Sequence, residues 1–334
     1  MECLRPLGAL YRGITGLRNA AYDAGLFATK RLDVPVVSVG NLSVGGTGKT
    51  PMVVWVAREL LARGRRPGVL SRGYRAQGEQ NDEGRLLERL LPGVPQLQNP
   101  DRVEGGAQLV AEGADVIVLD DGFQHRRLGR DVDVVLVDAT RPWGLPAPAE
   151  GGDPVCALLP RGFLRESPNG LKRASAVVLT RCDQATDARI QQLEAEIERL
   201  APGVPTARTR HRALELSTPD GPRPLSDLAG RDVVLVSGLG NPEAFERSAR
   251  DAGARVVATK RFPDHHHFRR TELDGVAPDG AVILTSSKDA VKFEAEGIPC
   301  WVLEVELELL RGKAVLEALL DSLRIQGAKK VQLA

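Results

Sequence analysis

Short apolar runs, rich in valine and leucine, alternate along the chain with longer stretches of helical periodicity. The apolar runs cover residues 34–39, 68–70, 116–119, 132–137 and 176–179, then 233–236, 255–258, 281–284 and 301–305. The helical stretches cover residues 49–62, 187–200, 242–252 and 314–323. Apolar strands that alternate with helices are typical of a parallel sheet covered on both faces. The pattern therefore predicts an α/β fold with a mostly parallel sheet.

The N-terminal segment predicts an amphipathic helix with positive charges among its apolar residues. Apolar side chains recur from Leu4 to Leu17 at helical spacings, and Arg5, Arg12 and Arg18 lie between them. Such a helix packs on its own domain or lies in the surface of an anionic bilayer, and periodicity alone favours the first. No stretch reaches about 18 consecutive apolar residues, so we expect no membrane-spanning helix.

The net charge and the cysteine spacing of the chain argue against several kinds of partner and site. The 334 residues include 45 Lys and Arg against 44 Asp and Glu, a formal net charge of +1, so we do not expect binding to nucleic acid. The four cysteines are scattered without a C-x-x-C pair. This argues against a zinc site or a disulfide framework and suits a reducing compartment. Nothing in the sequence points to a protein partner.

A glycine-rich loop lies between the first predicted core strand and the helix at 49–62. Its residues are Ser43, Val44, Gly45, Gly46, Thr47, Gly48, Lys49 and Thr50. A strand before and a helix after are the context that a P-loop requires. Backbone N–H groups of such a loop point at phosphate oxygens, and the helix N-terminus adds positive charge. We expect Lys49 to reach the phosphates of ATP and the Thr50 hydroxyl to hold Mg²⁺.

Two predicted strands end in aspartate and offer a second magnesium ligand. One ends in Asp120 and Asp121, and the other ends in Asp138. Adjacent carboxylates repel each other unless a cation lies between them, which favours Asp120 and Asp121 as metal ligands. The choice among the three carboxylates stays open at this point.

Together with further segments, the P-loop resembles the signature series of the tetraacyldisaccharide 4′-kinase family. The other segments are Leu70-Ser71-Arg72-Gly73-Tyr74-Arg75, Asp120-Asp121-Gly122-Phe123-Gln124-His125, 159–166, 237–242, Phe262-Pro263-Asp264-His265 and 287–292. They follow the family's order and span most of the chain. One departure is Asn81-Asp82-Glu83-Gly84, where the family usually has Gly-Asp-Glu-Pro.

The resemblance implies a kinase that uses ATP and Mg²⁺ to phosphorylate the 4′-hydroxyl of a tetraacyldisaccharide 1-phosphate in lipid A biosynthesis. It also implies a peripheral protein at the cytoplasmic face of the bacterial inner membrane, because the acyl chains of this glycolipid stay in the bilayer. The expected organisation is an N-terminal membrane-docking helix region at 1–31, a P-loop kinase core at 32–210, and a second, smaller α/β lobe at 211–334 that closes over the active site.

The resemblance also implies roles for individual side chains. Asp82 is expected to act as the base, His265 as the partner that orients it and shares its proton, and Lys49 as the phosphate-binding cation. Polar residues on loops after strand ends are expected to bind the substrate, because open α/β sheets place ligands there. These residues are Asn41, Arg72, Tyr74, Glu83, Gln124, His125 and Glu166.

Two other classes of P-loop protein remain as alternatives. A regulatory ATPase that controls membrane association would explain the glycine-rich loop and the N-terminal helix. It would not explain the Phe262-Pro263-Asp264-His265 and Leu164-Arg165-Glu166 segments. A small-molecule kinase with a soluble substrate is the second alternative.

Overall fold

The computed structural model describes residues 4–73, 82–143, 156–264 and 266–324. Its strands are β1 (Val36–Asn41), β2 (Pro67–Ser71), β3 (Gln96–Gln98), β4 (Val116–Asp120), β5 (Val132–Asp138), β6 (Ala176–Thr180), β7 (Thr206–Thr218), β8 (Gly221–Arg223), β9 (Asp232–Ser237), β10 (Arg255–Arg261), β11 (Val282–Ser286) and β12 (Trp301–Arg311). Its α-helices are α1 (Arg5–Asp23), α2 (Lys49–Ala62), α3 (Asp82–Leu90), α4 (Arg102–Ala111), α5 (Asp187–Leu200), α6 (Pro242–Asp251), α7 (Arg270–Leu273), α8 (Ser287–Ala295) and α9 (Lys313–Asp321).

Within these ranges the strands form one twelve-stranded sheet, ordered β10-β9-β11-β12-β7-β6-β5-β1-β4-β2-β3, with β8 beside β7. The pairings are parallel except for those of β7 with β12 and with β8. Every residue of β1, β4, β5 and β6 is buried, as expected where helices cover both faces of a sheet. The predicted α/β class with a mostly parallel sheet is confirmed.

Helix α2 shows how the core positions the glycine-rich loop. Its residues Met52, Val53, Val56 and Leu60 are fully buried against the central strands. Burial of such side chains stabilises a fold by about 1.5–3 kcal/mol each. The helix begins at Lys49, directly after Gly48, whose φ of 91° suits glycine. The packed face of α2 therefore fixes where its N-terminus points.

Strand β7 was not predicted, because its stretch of the chain has the composition of a linker. The strand is 13 residues long and pairs antiparallel with the 11-residue β12. Its arginines form ion pairs with glutamates on neighbouring elements, Arg208 with Glu194 and Arg210 with Glu308. The Pro, Gly, Thr and Asp residues of the segment at 202–230 predict a linker between two lobes. The segment does join the two halves of the chain, but it does so as part of the sheet. The proposed boundary after residue 210 falls within β7 and stays a prediction.

Helix α1 packs on the core through one narrow face and leaves its larger apolar side chains exposed. Gly8 is buried, and the Tyr11 hydroxyl donates a hydrogen bond to the carbonyl of Arg165. In contrast, Leu10 and Leu17 are 61% and 75% exposed. Among the described residues, no helix combines the length and the apolarity that crossing a bilayer requires.

Candidate active site

The P-loop is held in place by the ends of two strands. The side-chain amide of Asn41, at the end of β1, donates to the Thr47 hydroxyl at 2.8 Å. The Thr180 hydroxyl, at the end of β6, donates to the carbonyl of Thr47 at 2.9 Å. These bonds fix the loop just before Lys49 and Thr50, the two residues expected to meet phosphate and magnesium. Asn41, expected to bind substrate, is buried beneath the loop.

Asp121 lies between two cations at the end of β4. Its Oδ1 is 3.7 Å from Lys49 Nζ, and both of its oxygens lie 2.6 Å from Arg165 Nη1. Burial raises the pKa of Asp121, but Lys49 and Arg165 outweigh burial and hold that pKa below its usual range. Its φ of 55° is rare for a residue other than glycine, and such strain clusters at functional sites.

Asp120 has the opposite surroundings, although it is the preceding residue. Its side chain is buried, and its Oδ1 has no hydrogen-bond partner among the described residues. Burial, with the negative charges of Glu83 and Asp121, raises the pKa of Asp120 to about 7, while Lys49 lowers it. A buried carboxylate that lacks a partner and is crowded by acids is stabilised by a cation.

This donor set fits magnesium. Mg²⁺ prefers oxygen ligands and is usually bound by one or two carboxylates together with substrate phosphates and water. Among the described residues, no group of three or more His, Cys, Asp or Glu side chains is arranged to hold a metal by itself. Asp120, together with the Thr50 hydroxyl in the first turn of α2, therefore suits a magnesium ion shared with a nucleotide.

Asp138, the third candidate ligand, is already occupied by protein groups. It accepts hydrogen bonds from Arg181, from the Thr140 hydroxyl at 2.7 Å and from the Asn241 amide at 3.0 Å. Burial raises its pKa, but Arg181 and these hydrogen bonds outweigh burial and lower it. The geometry therefore favours Asp120 over Asp138 as a metal ligand.

The turn after β4 packs tightly against β1. A Cβ on Gly40 would lie 2.6 Å from the Cβ of Phe123, so only glycine allows this approach. Gln124, in the same turn, donates to the carbonyl of Asn41 at 2.8 Å and to Glu166 at 2.9 Å. The hydrogen bond to Glu166 connects this turn to the segment that contacts α1.

Glu166 is the buried centre of a hydrogen-bond network. Besides Gln124, it accepts from Asn19 of α1 at 3.1 Å and from Arg173 at 2.8 Å. The residue is 3% exposed. Gln124 and Glu166 thus connect α1 to the edge of the site, and their direct role in substrate binding stays a prediction.

Positive charge lines the edge of the site beside the two aspartates. Arg102, at the start of α4, is buried, which lowers its pKa; the charge of Arg72 lowers it further, while Asp121 and Asp120 raise it. Burial and the charges of Arg102 and Arg130 lower the pKa of His125 to about 4. His125 is therefore neutral at physiological pH, and its Nε2 is buried without a partner in the described structure.

The second half of the chain meets the site at the start of α3. Lys292 Nζ lies 3.6 Å from Asp82 Oδ2, and Lys288 Nζ lies 3.8 Å from Glu83 Oε1. Lys288 also contacts Asp264 at 3.1 Å. Two predicted site residues, Tyr74 and His265, lie outside the described residues. Two predicted catalytic residues, Asp82 and Lys49, thus lie beside the charged groups around Asp120: Asp82 is next to Glu83 in the chain, and Glu83 and Lys49 both act on Asp120.

The loop after β9 touches the P-loop directly. A Cβ on Gly240 would lie 2.6 Å from the backbone nitrogen of Gly46, so the two backbones are in contact. Arg141, which follows β5, donates to the carbonyl of Gly240 at 3.3 Å. The P-loop is therefore bordered by both halves of the chain.

Four cations of the site were not assigned a role from the sequence: Arg102, Arg165, Lys288 and Lys292. Arg165 lies within the Leu-Arg-Glu segment, and both lysines lie within 287–292, so those two segments carried a signal. The spacing of Lys288 and Lys292 places them on one face of a helix. Arg102 had no such signal, because it stands in a polar stretch of ordinary composition.

Three comparisons with known proteins agree. A family model described as Tetraacyldisaccharide-1-P 4′-kinase matches residues 1–324. The tetraacyldisaccharide 4′-kinase of Anaeromyxobacter dehalogenans strain 2CP-C is 42% identical over 358 aligned positions, which cover 94% of this chain and 91% of the relative. That of Syntrophus aciditrophicus is 36% identical and covers 96% and 92%. The crystal structure of LpxK from Aquifex aeolicus, an "apo" form in complex with ATP, matches with a TM-score of 0.73 and 32% identity over 98% of this chain and 99% of that chain.

Proposed function

Because the chain belongs to the tetraacyldisaccharide-1-P 4′-kinase family, we propose that it transfers the γ-phosphate of ATP to the 4′-hydroxyl of a tetraacyldisaccharide 1-phosphate, a lipid A precursor. One observation carries the proposal beyond family membership. The charges of Lys49 in the P-loop and of Glu83 at the start of α3 both act on Asp120, a buried carboxylate with an oxygen that has no partner among the described residues. Phosphoryl transfer needs this combination of phosphate-binding cation, metal ligand and acid.

The reaction asks mainly for alignment and for neutralisation of charge. Lys49 binds the β- and γ-phosphates, and Thr50 and Asp120 hold Mg²⁺, with Asp121 paired to Lys49. When bound, Mg²⁺ would supply positive charge that offsets the negative charge developing on the phosphate oxygens. Asp82 accepts the proton of the 4′-hydroxyl, and His265 orients Asp82 and shares this proton. Arg72 and Arg102 give the site edge a positive charge that suits an anionic acceptor.

The proposal includes a peripheral position at the cytoplasmic face of the inner membrane. It is supported by the exposed leucines of α1, Leu10 and Leu17 among them, and by arginines along the same helix. An exposed apolar stripe flanked by basic residues binds the surface of anionic bilayers. The same helix is joined to the site through Asn19 and Glu166, which would bring a bilayer-bound substrate close to the P-loop.

The experiment uses the purified protein, γ-labelled ATP and a tetraacyldisaccharide 1-phosphate in mixed micelles. We expect label on the lipid only with Mg²⁺ present, and none with Lys49→Met. A deacylated, soluble disaccharide phosphate serves as the matched acceptor. Release of labelled phosphate without labelled lipid would instead indicate a regulatory ATPase, and preference for the soluble acceptor would indicate a small-molecule kinase.

The membrane part of the proposal has a separate test. We expect Leu10→Ser combined with Leu17→Ser to reduce co-sedimentation with vesicles that contain anionic lipid, while activity on micellar substrate changes little. Unchanged sedimentation would remove α1 as the docking element. The proposal also keeps a core at 32–210 and a second lobe at 211–334 that closes over the active site. The contact between Gly240 and Gly46 supports a place for that second lobe beside the P-loop.

A further inference from the structure

Helix α8 carries two lysines that face the two acids at the start of α3. Lys292 lies 3.6 Å from Asp82, and Lys288 lies 3.8 Å from Glu83. Residues four positions apart lie on one face of a helix, and so the pair of lysines matches the pair of acids. The contact joins residues about two hundred positions apart in the chain, across the two halves of the molecule.

Lys292 is fixed from its own side by a buried partner. Its Nζ lies 3.1 Å from Asp289 Oδ1, and the side chains of Lys292 and Asp289 are 4% and 0% exposed. The other oxygen of Asp289 accepts from the backbone N–H of Gly238 at 2.9 Å and from the Ser286 hydroxyl at 3.1 Å. A buried ion pair is tolerated only when further hydrogen bonds satisfy its atoms, and Asp289 has them.

Asp82 borders a cluster of acids. Glu83 is the next residue, and its charge acts on Asp120, which in turn is next to Asp121. Like charges at close range disfavour one another, so a carboxylate in this cluster needs a cation to stay in place. Lys49 and Arg165 do this for Asp121. Lys292 is a cation that contacts Asp82 in the same way.

We propose that Lys292 is a positioning residue for Asp82: the second half of the chain supplies a buried, anchored cation that holds the Asp82 carboxylate towards the acceptor hydroxyl. The inference rests on the proposed function, in which Asp82 is the base. In this role Lys292 acts through Asp82 and not by contact with the substrate or the nucleotide. Its loss therefore lowers the rate of phosphoryl transfer and leaves ATP binding unchanged.

The test measures lipid phosphorylation by wild type, Lys292→Met, Asp82→Asn and the combined variant. We expect Lys292→Met to lower kcat about 10- to 100-fold, while KM for ATP stays within about threefold. In the Asp82→Asn background the same substitution should change the residual single-turnover rate less than about twofold, because the group it acts through is gone. Lys313→Met is the matched control: Lys313 is exposed on α9 and pairs with Glu317, so wild-type kcat is expected.

Removal of Lys292 alone leaves the buried charge of Asp289 without its ion-pair partner, which is expected to destabilise the fold. The double variant Asp289→Asn, Lys292→Met removes both charges and keeps an oxygen for the Gly238 N–H, and it should show the same loss of kcat. Two outcomes overturn the inference and leave the proposed function standing. One is a kcat within twofold of wild type in a folded Lys292 variant. The other is an equal fold loss of rate on Lys292→Met in the wild-type and the Asp82→Asn proteins. Absence of lipid labelling by wild type overturns the proposed function and the inference with it.

Discussion

Strands β4 and β5 flank the P-loop strand on either side and end in aspartate, yet their carboxylates have opposite surroundings. Asp138 of β5 is bound by Arg181, Thr140 and Asn241. Asp120 of β4 is buried among acids with an oxygen unpartnered in the described structure. Both strands are apolar runs that end in aspartate, yet Asp138 stabilises the structure on one side of the P-loop and Asp120 is a candidate metal ligand on the other. What differs is whether the protein itself satisfies the charge.

Asp120→Asn should have the largest effect on catalysis. Loss of the carboxylate removes a magnesium ligand, so we expect kcat to fall about 10³-fold and the Mg²⁺ concentration for half-maximal rate to rise. Titration of lipid phosphorylation with Mg²⁺ measures both. The free energy of unfolding should stay the same or rise, because the substitution removes an unfavourable buried charge. A normal magnesium requirement would contradict the assignment.

Asp138→Ala should act on stability instead. It leaves the buried Arg181 guanidinium without its partner, and breaking such a pair costs about 3–5 kcal/mol. Denaturant unfolding measures this loss. The magnesium requirement of the folded variant is expected to match wild type, and a shifted requirement would mean that both strand ends hold the metal.

The pH dependence of stability should also separate the two aspartates. A pKa of about 7 for Asp120 means that the folded protein binds a proton which the unfolded chain releases near pH 4, so this contribution to stability is lost as pH rises towards and past 7. Between pH 5 and 8 the loss is about 3 kcal/mol. Asp138 acts in the opposite sense: its lowered pKa adds stability above pH 4 that is lost as pH falls.

Urea unfolding at pH 5 and pH 8 without Mg²⁺ checks the contribution of Asp120. The difference between the two pH values should shrink in Asp120→Asn relative to wild type. Addition of Mg²⁺ to wild type should stabilise more at pH 8 than at pH 5. An identical pH slope in wild type and variant would show that Asp120 does not titrate in this range.

Gly40→Ala should have the smallest effect of the four. The added Cβ would lie 2.6 Å from Phe123, so the turn that follows Asp120 must move away from β1. We expect a loss of about 1–3 kcal/mol in the free energy of unfolding, together with reduced activity. Gly13→Ala is the control, since nothing lies within 4 Å of its added Cβ, and it should be neutral or slightly stabilising. Equal effects at both glycines would contradict this explanation.

Parts of the site that consist of residues contiguous in the chain could be predicted from the sequence. The P-loop, the strand before it and the Asp120-Asp121 pair could be predicted, because each is a contiguous pattern with its own physical cause. The sequence favours Asp120 and Asp121 over Asp138 because adjacent carboxylates repel each other without a cation, but it could not show that the protein itself satisfies the charge of Asp138. This depends on Arg181 and Asn241, which come from a different strand end and from the other half of the chain.

Two further features depend on distant partners in the same way. Strand β7 has polar and charged residues along much of its length, and it forms a strand because β12 supplies both a hydrogen-bonding edge and matching glutamates. The pair Lys292 and Asp82 joins helices whose contact no local pattern encodes. These features follow from tertiary packing, which overrides local propensity.

The ladder between β7 and β12 has a consequence for attempts to divide the protein. Because it makes the two halves one sheet, a chain cut within β7 would leave long rows of unpaired backbone groups on both fragments. Such edges recruit other strands and promote aggregation. Separately expressed fragments should therefore precipitate, whereas their co-expression should allow complementation into a soluble particle.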